Sequence, residues 1–93
     1  MNHLRADAAK TYDAIRRALF AWNWSGAEQA FRAFCETYRA HIPAWFEDEY
    51  VFNGAKLWAA NRPAQLLRHF ATFLDRAAPG DSHFDEDLSL IHI

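Results

Sequence analysis

With 93 residues and a formal net charge of -2, the chain holds one domain at most, and its 52% hydrophobic and 16% aromatic content excludes intrinsic disorder. The single Cys35 excludes an internal disulfide, and no segment approaches the roughly 20 apolar residues of a membrane span or the apolar run of a signal peptide. A cytoplasmic location is therefore expected. Residues 1–80 carry all ten basic side chains against eight acidic ones, without a basic stripe, so no nucleic-acid partner is expected.

Leu4, Ala8, Tyr12, Ile15, Leu19 and Trp22 recur at steps of four and three, which predicts a first amphipathic helix over residues 4–22. Asp13 and Arg17 fall four apart on its polar side and suit an ion pair. Asn23-Trp24-Ser25-Gly26 reads as a turn, and Ser25 with Glu28 three residues on reads as a capping box. Ala27, Phe31, Phe34, Tyr38, His41 and Trp45 continue the four-three spacing, so a second helix should fold back on the first as an antiparallel hairpin. Pro43 either kinks that helix or, the preferred reading, ends it and opens a new one. Glu47, Asp48 and Glu49 would then lie near the positive end of the new helix dipole.

Asn53-Gly54 reads as the close of this segment, with residues 55–60 a short helical piece. Pro63 suits the first turn of a last helix, with Leu66, Phe70, Phe73 and Ala77 inward and Ala78-Pro79-Gly80 as its stop. The expected fold is all-α: a helical hairpin plus one or two further helices, a truncated helical bundle in a single domain over residues 1–80. Residues 81–87 add four acids and no base and read as a solvated linker. Leu88-Ser89-Leu90-Ile91-His92-Ile93 corresponds to the codons CTG-TCT-CTT-ATA-CAC-ATC, the transposase end used as a sequencing adapter. These six residues are therefore expected to be foreign, and the natural chain to continue past Asp87.

His41 is the first candidate for chemistry, because it falls on the apolar stripe. A core-facing histidine in a helical bundle can ligate a metal with carboxylates from neighbouring helices, or it can bond a backbone carbonyl near the helix end. Cys35 has no spaced His or Cys partner and reads as a passive, half-buried thiol. Trp22, Trp45 and Trp58 read as packing residues, whereas Trp24 at the turn reads as an exposed aromatic that could meet a partner.

The run Trp22-Asn23-Trp24, Ala27, Ala30-Phe31, Ala33-Phe34, Tyr38, His41-Ile42, a group of acids, then Tyr50-Val51-Phe52 resembles small hemerythrin-like bundles. The resemblance covers residues 4–75. It implies a four-helix bundle around a di-iron or other cation site, and it carries His41 and His69 over as metal ligands. Trp45 stands where the family has its carboxylate, and His69 directly follows Arg68 where the family's Arg lies about three residues back. The other ligands would come from a fourth helix. The hairpin also resembles a tetratricopeptide unit, although residues 44–80 do not repeat it. Arg62, with six residues before His69, is similar to the Arg…His motif of small HEPN ribonucleases, in which the two would stabilise charge and move a proton at a phosphodiester. Pro63 departs from that motif.

The leading expectation is an interaction module that meets a protein partner or a second copy of itself. No catalytic residue and no cofactor is assigned. Iron enters only through the hemerythrin-like alternative.

Overall fold

The computed structural model describes residues 3–80 together with His83 and Phe84. Four helices follow in order: α1 (His3–Phe20), α2 (Trp24–Thr37), α3 (Ala44–Ala59) and α4 (Pro63–Ala77). The described residues contain no strand, and none of their helices is long and apolar enough to cross a membrane. Each helix packs on the next, and α4 returns to α1.

The α1–α2 hairpin forms where the four-three spacing put it, with Ala8, Tyr12, Ile15 and Leu19 buried against Ala27, Phe31 and Phe34. Asp13 accepts from Arg17 Nε at 2.8 Å on the polar side. The cap of α2 differs from the expected Ser25–Glu28 box. Asn23 is the N-cap, and its side-chain oxygen accepts from Gly26 N–H at 2.9 Å. Glu28 is released to bond Arg32 one turn on. Asn wins because it lies one residue before the first helical position, where a side-chain oxygen reaches the orphan donors.

Both α1 and α3 end in the same motif. Asn23 N–H reaches Ala18 O at 2.8 Å and Trp22 N–H reaches Leu19 O at 3.1 Å; Arg62 N–H reaches Leu57 O and Asn61 N–H reaches Trp58 O, both at 3.0 Å. This crossed pair of bonds needs a left-handed residue at the turn. Asn61 takes φ 58 and Trp22 takes φ 55. Asn tolerates that region; Trp holds it at a cost of about 1–2 kcal/mol.

The second stripe stops early. Helix α2 ends at Thr37, and residues 38–42 form turns before Pro43 caps α3 with extended φ and ψ. The break at Pro43 therefore holds, but Tyr38, His41 and Trp45 do not continue the inner face of α2. Asn53-Gly54 is no turn either. Helix α3 runs through it to Ala59 and absorbs the expected short piece over residues 55–60. Gly54 is buried where a Cβ would stand 3.3 Å from both Leu66 and Trp24, so the missing side chain lets α3 approach α4 and the start of α2.

The core centres on Phe31, fully buried, with its ring 4.9 Å from Phe70 and 4.7 Å from Phe73. A second contact corrects the sequence reading of residues 81–87. Phe84 lies in that acidic stretch, yet it is buried, stacked on Tyr12 at 4.9 Å, with its N–H donating to Asp75 at 2.9 Å. Arg5 closes the same seam, donating to Ala78 O at 2.8 Å, with its guanidinium 4.1 Å from the Phe84 ring centre. The other residues of 81–87, and the tail 88–93, lie outside the described residues.

Candidate interaction surface

Helix α3 is apolar on more than one side. Its inner face carries Val51 and Gly54, buried, with Trp58 partly covered. A helix turns about 100° per residue, so Trp45, Glu49, Phe52 and Lys56 recur on the opposite side. There Trp45 is 68% exposed and Phe52 62%. Phe52 lies under its own Lys56, whose Nζ is 4.5 Å from the ring centre. At the bundle end, Trp22 is 65% exposed and tilts against Trp58 at 5.5 Å. These positions reverse two sequence readings. Trp24, expected at the surface, is part-buried between Trp58 and Phe70, each at 6.2 Å, while Trp22 and Trp45, expected to pack, are open.

Glu47, one turn into α3, is the only buried charged residue among those described, at 4% exposure. Its two carboxylate oxygens accept from Arg32 (2.8 Å) and from Arg39, which join it to α2 and to the turn over residues 38–42. Arg32 also bonds Glu28 and Asp48, and Arg39 also bonds Glu36 and the carbonyl of Ile42. Hydrogen bonds to Asp48, Glu28 and Glu47 hold the Arg32 guanidinium above its ordinary range. Of the acids expected together at the start of α3, Glu47 and Asp48 are thus both paired with arginines of this chain, Glu47 buried and Asp48 exposed. Glu49 makes no ion pair among the described residues.

Cys35 is fully buried rather than half-buried, and burial, helped by the charge of Glu47, pushes its thiol up to about 12. A thiol that stays protonated is a poor nucleophile and a poor metal ligand.

His41 and His69 lie apart in role. His41 is exposed in the turn after α2 and rims a cleft of about 190 Å³ lined by Phe46, Tyr50, Phe73 and Arg76. The reading of His41 as core-facing fails because α2 ends four residues before it. His69 is part-buried and stacked on Tyr50 at 3.9 Å. Its Nε2 lies 2.9 Å from Tyr50 O, and Tyr50 OH donates to His69 O at 2.6 Å. A carbonyl only accepts, so Nε2 carries the proton in this pair. The two residues clamp α3 to α4. Arg62 is the exposed N-cap of α4, two helical turns from His69, or about 10 Å along the axis.

As a metal site the arrangement does not fit: among the described residues no group of three or more His, Cys, Asp or Glu converges where it could hold an ion, and His69 Nε2 is already spent on Tyr50.

Burial holds the His69 imidazole below its usual value of 6.5, the hydrogen bond to Tyr50 opposing this. A depressed folded value contributes stability that is present above 6.5 and lost as pH falls. Urea titrations should accordingly show the protein weakening from pH 7 to about pH 5, with a shallower decline in His69→Gln. Equal declines in variant and parent would remove His69 from the acid response.

The surface is compositionally visible only in retrospect. Trp45 and Phe52 are seven residues apart, with Glu49 between them and Lys56 one turn beyond, but the sequence spacing assigns Trp45 to the inner face of α2. No protein-family model matches the chain, and neither does any curated protein or solved structure.

Proposed function

We propose that the protein is a small helical interaction module that receives a protein partner on the outer face of α3. The observation that carries this is the pair Trp45 and Phe52, both more than half exposed, on a helix whose other side is already in the core. Exposed apolar surface is unfavourable by roughly 25 cal/mol per Å² against burial, and large aromatics dominate the energetics of protein interfaces. Glu49 and Lys56 beside them supply a polar margin, which suits a surface that is wet when free and covered when bound.

The test is a photoreactive residue placed at Phe52 and, as control, at Ala14, an exposed position on α1. Crosslinking to protein should be strong from position 52, weak from position 14, and lost when Trp45→Ser is added. The Trp45→Ser change should move folding stability by no more than about 0.5 kcal/mol, as for other exposed sites. Equal crosslinking from both positions would sink the reading.

A further inference from the structure

We infer that the occupant of this face is a second copy of the chain, docked antiparallel through α3 about a two-fold axis between Phe52 and Asn53. The inference rests on the interaction reading and names its partner.

It follows from the order of residues along the exposed face. A two-fold axis perpendicular to a helix makes its surface meet itself reversed, so a helix that docks on itself in this way must be its own complement when read backwards. The outer face of α3 has that property. Its first half holds the bulky Trp45 and then an acid, Glu49; its second half holds a base, Lys56, and then the small, exposed Ala59 and Ala60. Antiparallel alignment sets Glu49 of each copy against Lys56 of the other, about 5 Å along the helix on either side of the axis. Trp45 then lies over Ala59 and Ala60 of the second copy, large against small, and the two Phe52 rings meet at the centre. Parallel alignment instead sets Glu49 on Glu49 and Lys56 on Lys56, which is repulsive.

The ion pairs inside the chain point the same way. Asp13, Glu28, Glu36, Glu47, Asp48 and Asp75 each bond an arginine of this chain. Asp7 accepts from Tyr38 OH, which leaves Glu49 over among the acids of residues 3–80, and it stands on the face that carries Lys56. The Nζ of Lys56, held over Phe52, already lies on the exposed side where a carboxylate of the second copy would arrive.

Sedimentation of the 93-residue chain and its charge variants tests this. The parent should form dimers. Glu49→Lys and Lys56→Glu should each raise the dissociation constant at least about ten-fold, since every reversal converts two attractive pairs into two repulsive ones. An equimolar mixture of the two variants should recover dimers to within about three-fold of the parent, because one chain then offers two bases and the other two acids. Both positions are exposed, so helical circular dichroism should stay unchanged and separate lost association from lost folding. A parent that stays monomeric up to about 1 mM, reversals without effect, or a mixture that fails to recover would each overturn the inference. The two readings fail separately: a monomeric parent that still crosslinks another protein from position 52 removes only the second copy. Crosslinking as strong from position 14 removes the interaction surface itself.

Discussion

Phe31→Ala should lower the unfolding free energy by about 3–5 kcal/mol, the largest single loss expected in this chain. Phe31 is fully exposed to none of the solvent and touches rings from two other helices: Phe70 and Phe73 on α4, and Tyr50 on α3 at 5.9 Å. Truncation removes the burial of the ring and leaves a cavity that three further aromatic rings, themselves packed against one another, cannot easily collapse into. A domain of this size has roughly 5–15 kcal/mol in total, so the variant should be near the edge of folding. Urea titration reads it as a fall in midpoint with an unchanged slope. A loss below about 1 kcal/mol would mean that α2 does not cross to α4 through this residue.

Glu47→Ala is expected to lower stability by about 2 kcal/mol, and for a different reason. Removing one member of a buried ion pair strands the charge of the other, which typically costs 3–5 kcal/mol when both are inaccessible. Here only the acid is inaccessible. The Arg32 and Arg39 side chains are 38% and 35% exposed and keep Glu28, Asp48 and Glu36 as partners, so both can rehydrate in part and the effect is discounted. The loss should appear as a loosened junction between α2 and α3, since Arg39 lies in the turn that joins them. Asp48→Ala, one residue on but exposed, should change stability by less than about 0.5 kcal/mol. Equal losses at the two positions would show that Glu47 acts as a surface charge and not as a buried tie.

How far the sequence carried the fold depended on whether a choice was local. The α1–α2 hairpin, the break at Pro43 and the last helix are set by spacing, by a missing backbone donor and by a proline at a helix start. Each of these is read within a few residues. Gly54 was misread because Asn-Gly favours a turn in isolation; only the proximity of Trp24, Leu66 and Phe70 makes it a helix position without room for a side chain. The same holds for the aromatics. Once α3 is apolar on several sides, periodicity no longer says which side faces in, and Trp45 and Trp24 exchanged places with respect to solvent. His41 followed from one error, an over-extended α2, because a stripe continues on paper after the helix has stopped. Phe84 had no periodic signal at all, being one ring among acids.

That ring also bears on the order in which the molecule assembles. The α1–α2 and α3–α4 pairs join neighbouring segments through turns of a few residues and can form early. The seam at Arg5, Ala78, Tyr12 and Phe84 joins positions as far apart as Arg5 and Phe84, a closure that costs roughly 4 kcal/mol of chain entropy before any contact is made. On that cost the two hairpins are expected to form before the ring of helices shuts, and the clasp at Phe84 to close late, as a long-range event.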